Sequence, residues 1–211
     1  MIDNIDLIRT LLNFDSSGDF YMLYVFKRKK DFPEMEQKNH QSVRTIKTYC
    51  IESIEYLEKR YDEVKGLCEF FGARAYIHIQ KQNHFDVSLL LMEELAKRVR
   101  NGVTNQKGIF DSVVGQMQTH EKRWVVDVDS KDPYIIKFIS DAIEFKCNPS
   151  GNKIIASIPT KNGTHLITEC FDVATFNRFM SNKNLVVDIQ KKNPTLLYYP
   201  NSLEQATTTI N

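Results

Sequence analysis

Two carboxylates stand on alternate residues of the segment WVVDVD, at Asp127 and Asp129, among β-branched apolar residues. Because side chains alternate across a strand, both acids should project from one face while Val126 and Val128 project from the other. A third acid, Asp188, follows a similar apolar run in NLVVDI. Converging carboxylates repel one another unless a cation lies between them, and such oxygen ligands suit Mg²⁺ or Mn²⁺. We therefore predict that Asp127, Asp129 and Asp188 are the metal ligands and catalytic residues.

The segment PTKNGTHLIT, residues 159–168, has the residue types of a triphosphate site. Lys161 and a donating His165 can neutralise phosphate charge, and Gly163 lets the backbone approach a phosphate closely. The positive side of the same groove is extended by two lysines that follow the third acid, Lys191 and Lys192. Divalent metals beside a triphosphate imply phosphoryl or nucleotidyl transfer.

Other basic and aromatic residues offer weaker signals. Arg74 lies in a predicted strand among small and apolar residues, where an unpaired guanidinium is costly, so a phosphate or base contact and a structural ion pair are both open. The run KRKK, residues 27–30, is expected to be a solvated strand end, with nucleic-acid contact as an open alternative. We expect Tyr76, Tyr198 and Tyr199 to pack in the core or at a sheet edge rather than to stack on bases.

The second half of the chain must position the acids. From residue 123 onward the pattern predicts, in order, a strand at 123–129, a helix capped by Asp132, strands at 153–159 and 164–168, a helix from Asp172 to about Met180, and a strand at 184–189. This order is the split βαβ, or ferredoxin-like, arrangement, in which both helices cover one face of the sheet. Its first strand is central, so Asp127 and Asp129 should lie between Asp188 and His165.

The first half has mixed helix and strand patterns. We predict, in order, a helix near residues 3–14, a strand at 20–30, a loop at 33–39, a strand at 43–51, a helix at 54–71 ended by Gly72, a strand at 73–81, a helix at 86–100 and a weaker helix at 106–119. The expected fold is therefore α+β. An RRM-like or ferredoxin-like βαββαβ catalytic unit at about 123–190 packs against an N-terminal α/β subdomain. We place the two subdomains at residues 1–120 and 121–211 of one domain.

The composition limits the function classes. The chain has 211 residues, of which 42% are hydrophobic, enough to bury a core. Because 28 Lys and Arg balance 27 Asp and Glu, no broad basic surface is present and any polyanion must be bound by local charge. The four cysteines form no CxxC pair, which argues against a zinc knuckle or a disulfide framework. Without a signal-peptide pattern or a membrane-length apolar run, we expect a soluble, cytoplasmic protein with no membrane partner.

The order of the motifs resembles the archaeo-eukaryotic primase superfamily, the primase-polymerase group, from Ala73 to about Pro200. VVDVD is similar to the metal-binding strand of that family, TKNGTHLIT to its nucleotide motif, and NLVVDI with NPTLLYYP to its third-acid strand and following hairpin. The resemblance implies a primase-polymerase-like fold whose catalytic metals are bound by the three aspartates. It also implies that His165, with Thr160 and Lys161, holds the triphosphate, although Thr160 stands where a serine is usual.

The function expected from this resemblance is DNA-templated joining of nucleotides at a two-metal site, in replication or repair. The partners would be nucleoside triphosphates and single-stranded or primed DNA, with a separate helicase as a further candidate. Two alternatives are open: a non-catalytic nucleic-acid or nucleotide binding module, and a nucleotide-sugar transferase, which predicts a larger parallel sheet. Each motif alone also has a structural explanation, since a chain this long contains about one D-x-D by chance.

Overall fold

The protein has an α+β fold in a computed structural model that describes residues 1–28, 43–117 and 121–200. Within these residues there are two antiparallel sheets and six helices. The strands are Ile2–Asp3 (β1), Asp19–Arg28 (β2), Val43–Ile51 (β3), Arg74–Ile77 (β4), Gln82–Asn83 (β5), Trp124–Val128 (β6), Ile154–Pro159 (β7), Thr164–Thr168 (β8), Asp188–Gln190 (β9) and Thr195–Tyr199 (β10). The helices are Ile5–Arg9 (α1), Ile54–Phe71 (α2), His84–Arg100 (α3), Ile109–Gln116 (α4), Pro133–Phe145 (α5) and Val173–Ser181 (α6).

The first sheet has the strand order β1-β10-β4-β2-β3, and β5 pairs with the start of β2. Alternation along β2 divides its side chains between two clusters. Leu23 and Val25 join a large core that includes α1 and α2, whereas Phe20 and Met22 pack in a smaller cluster with α3 and α4. Helix α2 is amphipathic, begins where the Ser53 hydroxyl accepts a hydrogen bond from the Tyr56 amide, and ends at a left-handed Gly72, as predicted.

The second sheet has the strand order β7-β8-β6-β9, with every pair antiparallel. This is the order predicted from the sequence for a βαββαβ unit, with its first strand in the interior of the sheet. Helices α5 and α6 begin at Asp132 and Asp172, whose carboxylates accept hydrogen bonds from backbone amides of the first turn. The predicted caps and strand order are therefore confirmed.

The pleat of β6 separates a helix-covered face from a face that meets the first half of the chain. Val126 and Val128 are buried against α5 and α6. Val125 projects the other way and joins the core of the first sheet, together with Ile158 and Ile167 from the neighbouring strands. Asp127 shares the side of Val125, because residues two apart on a strand lie on one face. The predicted alternation of valines and acids is confirmed.

Several element boundaries differ from the predictions. Helix α1 spans five residues instead of about twelve, because Ile2 and Asp3 pair with β10 and the chain leaves the helix at Thr10. The predicted strands at 73–81 and 184–189 are each reduced to a few ladder residues, in β4 and β9. The predicted loop at 33–39, Lys29 and Lys30, and the segment beyond residue 200 lie outside the described residues.

The boundary between the two halves also needs correction. Strand β10 follows the second sheet in the chain but pairs with β4 and β1 of the first sheet. Residues 121–200 therefore contribute to both sheets, and a division at residue 120 does not separate them. All strand pairs in the described ranges are antiparallel, which contradicts the parallel sheet expected for a nucleotide-sugar transferase. None of the helices in those ranges has the length and apolarity needed to cross a membrane.

Asn4 ties the two sheets together. Its buried side-chain amide donates to the carbonyl of Pro159 at 2.9 Å and to that of Leu196 at 3.0 Å. These carbonyls belong to β7 of the second sheet and β10 of the first. A single amide group thus donates hydrogen bonds to two backbone carbonyls that would otherwise need another donor at the junction.

We predict that Asn4→Ala lowers the free energy of unfolding by about 1–3 kcal/mol, because two carbonyl groups lose their donor. Urea titration followed by far-ultraviolet circular dichroism measures the change. Asn152→Ala is the control, since Asn152 is exposed in the turn before β7 and its truncation should change little. Equal stability of the Asn4 variant and the wild-type protein would contradict this role.

Candidate functional site

A cleft of about 50 Å³ is lined by side chains from both sheets. The second sheet contributes Asp127 of β6, Asp129 directly after that strand, His165 of β8 and the turn between β7 and β8. The first sheet contributes basic and aromatic side chains of β2, β4 and β10. The lining residues of the second sheet are Asp127, Asp129, Thr160, Lys161, Asn162 and His165, and those of the first are Arg28, Arg74, Tyr76, Leu196 and Tyr199. The fold therefore gathers six of the predicted site residues in one place.

The acids are positioned by the register of β6. Asp127 lies directly opposite His165 on β8 and directly opposite Asp188 on β9, as predicted. Asp127 and Asp129 line the cleft, whereas Asp188 is exposed outside it, and its Oδ2 accepts a hydrogen bond of 2.7 Å from Gln190. No group of three or more His, Cys, Asp and Glu side chains in the described part of the chain is arranged to hold a metal ion.

His165 is buried and held by both sheets. Its Nδ1 lies 2.9 Å from the hydroxyl of Thr195 on β10, and its Nε2 lies 3.6 Å from Oδ1 of Asp127. Burial, aided by the positive charge of Arg28, lowers the pKa of His165 to about 4. The imidazole is therefore neutral at pH 7, and its contact with Asp127 is not an ion pair. When the Thr195 hydroxyl donates to Nδ1, Nε2 carries the proton and can donate into the cleft.

Three cations of the cleft lie over tyrosine rings. The guanidinium of Arg28 lies 5.1 Å from the ring centroid of Tyr76, and that of Arg74 lies 4.8 Å from the ring centroid of Tyr199. The ammonium of Lys161 is 5.5 Å from the same Tyr199 ring. A cation–π contact restricts the position of each cationic group. The phenol oxygen of Tyr199 is buried and has no hydrogen-bond partner within residues 1–28, 43–117 and 121–200.

Arg28 was not predicted as a site residue. The prediction of a solvated strand end is met only in part, because Arg28 ends β2 and is partly exposed but its side chain lines the cleft. Phe26 pairs directly with Arg74, and alternation places Arg28 on the same face as Phe26. That alternation is visible in the sequence of β2, but the pairing of β2 with β4 is not. The expected packing of Tyr76 and Tyr199 is confirmed, since both rings are buried.

Gly163 has a different role from the predicted one. Its N–H donates to the Thr160 hydroxyl at 3.1 Å, and its carbonyl accepts from the Thr160 amide at 2.9 Å. The Gly163 amide is thus used within the turn and does not offer its N–H to a phosphate. A Cβ at this position would lie 1.9 Å from the carbonyl oxygen of Val128. Glycine is required because the turn packs on the end of β6, which holds Lys161 beside the acids.

Lys191 and Lys192 do not line the cleft, which corrects their predicted place in its positive side. The ammonium of Lys191 lies 4.9 Å from the ring centroid of Trp124. That of Lys192 donates to the carbonyl of Gly115 at 3.0 Å. Lys192 instead lines a second cavity, of about 50 Å³, with His78 and Asp111. The tight turn after β9 directs both side chains away from the acids, and this direction was not evident from their place in the sequence.

The second cavity lies beside the cleft on the first sheet. Tyr24, in its lining, is the cross-strand partner of Tyr76 in the cleft. Burial lowers the pKa of His78 to about 4, so this histidine is also neutral at pH 7. The side-chain carbonyl of Gln82 is buried there without a hydrogen-bond partner in the described ranges. The cavity is therefore polar inside, although tyrosine and methionine form part of its wall.

Comparison of the chain with models of known protein families gave no match, and comparisons with curated proteins and with solved structures found none with significant similarity. What the cleft does must therefore be argued from its own geometry.

We predict that Gly163→Ala destabilises the protein by about 1–3 kcal/mol or more, because the new methyl group overlaps the Val128 carbonyl. Thermal unfolding measures the loss. Gly115→Ala is the control, since a Cβ there meets no atom within 4 Å. A Gly163 variant as stable as the Gly115 variant would show that the turn does not pack on β6 as described.

We predict that stability falls as the pH is lowered from 6.5 to 4, partly through His78. Unfolded His78 binds a proton below pH 6.5, whereas the folded state binds it only below about 4, so acid favours unfolding in this window. Asp111, Lys192 and Tyr24 are the other titratable groups that line its cavity. His78→Gln should reduce the slope of the unfolding free energy against pH by an amount equivalent to up to about one bound proton. An unchanged slope, measured by urea titration at several pH values, would contradict a buried neutral His78.

Proposed function

We propose that the protein is a primase-polymerase-like nucleotidyltransferase that joins nucleotides on a DNA template. The observation that carries this proposal is the convergence of an acid pair and three cations in one cleft. Asp127 and Asp129 line the cleft together with Arg28, Arg74 and Lys161. Carboxylates beside several cationic groups suit a nucleoside triphosphate bound with a divalent metal.

The donor set of the cleft fits Mg²⁺ or Mn²⁺ in the presence of a triphosphate. Mg²⁺ is commonly held by one or two carboxylates, with phosphate oxygens and waters completing its shell. Asp127 and Asp129 supply two carboxylates, and the substrate would supply the remaining charged oxygens. When bound, the metal would make the attacking hydroxyl more acidic and would neutralise charge on the phosphates.

Asp188 would be the third ligand after a change of side-chain position. Directly opposed residues of an antiparallel pair have Cα atoms about 4.5–5.5 Å apart and project side chains to the same face. Asp188 and Asp127 are opposed in this way. Rotation of the Asp188 carboxylate away from Gln190 therefore brings it toward Asp127. The exposed position of Asp188 makes such a rotation inexpensive.

The remaining residues would bind and orient the triphosphate. Arg28 and Arg74, supported by tyrosine rings, would bind the phosphates from the first sheet, and Lys161 would bind them from the β7–β8 turn. Neutral His165 would donate from Nε2 to a phosphate oxygen, with its ring held by Thr195. In the reaction, the primer 3′-hydroxyl oxygen forms a bond to the α-phosphorus, the bond to pyrophosphate breaks, and the hydroxyl proton passes to water.

A second candidate is a non-catalytic module that binds a nucleotide or nucleic acid. It is favoured by the position of Asp188, whose carboxylate lies outside the cleft and leaves two acids there. In this case the cationic groups would bind a polyphosphate or the backbone of a single strand, and no nucleotide would be joined. Turnover therefore decides between the two functions.

We predict that Asp127→Asn reduces nucleotide incorporation on the order of 100-fold or more. The metal beside the reacting phosphates would lose one of its carboxylate ligands. The assay uses Mn²⁺, a primed DNA template and labelled deoxy- and ribonucleoside triphosphates. Asp62→Asn is the matched control, since the Asp62 side chain is 95% exposed on α2, away from the cleft. Wild-type incorporation by the Asp127 variant would reject the proposed site.

Two further variants separate the alternatives. Loss of incorporation in Asp188→Asn comparable to that in Asp127→Asn would support a three-acid site, whereas normal incorporation would restrict the site to the acids of β6. If the wild-type protein incorporates nothing, calorimetry with a non-hydrolysable triphosphate and Mn²⁺ tests the binding module. Arg74→Ala should then weaken binding at least about tenfold. Unchanged binding in that variant would reject both functions at this cleft.

A further inference from the structure

Helix α3 carries a continuous apolar row on its exposed surface. Phe85, Met92 and Val99 are 68%, 60% and 63% exposed, and Leu89 between them is 48% exposed. Single exposed apolar residues are ordinary on protein surfaces, whereas a contiguous row of them marks an interaction site. The only residue of α3 that is fully buried is Val87. Val87, Leu90 and Leu91 pack toward the protein, so the apolar residues of this helix are divided between a packed side and an exposed row.

The polar residues of α3 follow the opposite pattern. Glu94 and Arg98 form a salt bridge of 3.0 Å, and their side chains are only 20% and 22% exposed. The C-terminal half of α3 thus turns an ion pair toward the rest of the protein and leaves Leu95 and Val99 in solvent. An ordinary surface helix does the reverse. This inversion indicates that another protein surface covers the exposed row when the protein functions.

The spacing of the row indicates what covers it. Phe85, Leu89, Met92, Ala96 and Val99 follow one another at alternating steps of four and three residues. This is the heptad pattern by which one helix packs its side chains into the spaces of another helix. At 1.5 Å per residue, the 17-residue helix offers about 25 Å of such a seam. A helix with the same pattern is therefore the matching partner.

We propose that two copies of the chain associate by packing α3 antiparallel against α3 of the second copy. The charges of the helix support this orientation. Its first turn contains Asp86, and its last turn contains Lys97, Arg98 and Arg100. Antiparallel packing about a twofold axis brings the acidic end of each helix to the basic end of the other and opposes the two helix dipoles. Parallel packing would align like charges and like dipoles.

One register satisfies both the apolar row and the charges. When Leu89 lies opposite Val99 of the other copy, Met92 lies opposite Ala96. The twofold axis then crosses the seam at the level of Glu94 along the helix. Phe85 then lies beside the C-terminal end of the other helix. In this register the flanking Asp86 of each copy is close to Arg100 of the other, so two ion pairs form.

The same register also brings two like charges together. The twofold axis brings Glu93 of each copy near Glu93 of the other, and like charges at such positions weaken helix pairing. Glu93 should therefore limit the affinity of the dimer. Parallel packing would place the two Glu93 residues on opposite sides of the seam. The response to neutralising Glu93 therefore distinguishes the two orientations.

The inference is tested by sedimentation of the full chain over a dilution series. We expect the wild-type protein to form a dimer and Met92→Glu to raise its dissociation constant at least about tenfold, since the new charge is placed in the seam. Phe70→Glu is the matched control, because Phe70 is 82% exposed on α2 and lies outside the row. Circular dichroism verifies that both variants are folded.

A wild-type protein that sediments as a monomer at every concentration would overturn the proposal, and so would a dimer that Met92→Glu leaves intact. The first result would mean that another segment of the chain or a different partner covers the row.

Charge variants test the orientation. Asp86→Lys should weaken the dimer, Asp86→Lys with Arg100→Glu should restore it, and Glu93→Gln should tighten it. Failure of the double variant to restore association, together with no effect of Glu93→Gln, would overturn the antiparallel arrangement.

Discussion

The register of β6 between β8 and β9 is the constraint on which the rest of the site depends. One strand supplies Val126 and Val128 to the helix-packed core and Asp127 to the cleft, so the hydrophobic core and the acid positions cannot be shifted independently. A slip of one residue would turn the carboxylates toward α5 and α6 and the two valines toward the cleft. The burial of two valines thus holds the acid pair in place, at a hydrophobic gain of roughly 1.5–3 kcal/mol for each side chain.

The charges of the cleft are organised by their neighbours rather than by the net charge of the chain. A formal net charge of +1 gives no long-range attraction for a polyanion. Within the cleft, however, tyrosine rings lie under Arg28, Arg74 and Lys161 and limit the directions in which these cations can move. Burial keeps His165 neutral, so it acts as a hydrogen-bond group beside Asp127 instead of cancelling the charge of that acid.

The sequence predicted the local features of the fold and site well, because they depend on short-range patterns. Alternation in VVDVD, the caps at Asp132 and Asp172 and the order of strands and helices all follow from residues close together in the chain. Other features depend on pairing between distant segments, which no single-sequence pattern specifies. These features are the position of Arg28 in the cleft, the junction made by Asn4 and the place of β10 in the first sheet. Gly163 was identified correctly as special, but the reason lies in a contact with Val128, on another strand.

The position of β10 has a consequence for how the protein is made. This strand lies between β1 and β4 in the first sheet, although it is the last strand of the described chain. During synthesis the first sheet therefore lacks an interior strand until residues 195–199 have left the ribosome, because contacts so distant in sequence form late. Thr195, which orients His165, arrives with the same strand. Completion of the sheet and alignment of the imidazole are thus a single late event, and a shorter nascent chain would carry the acids without their neighbouring donor in place.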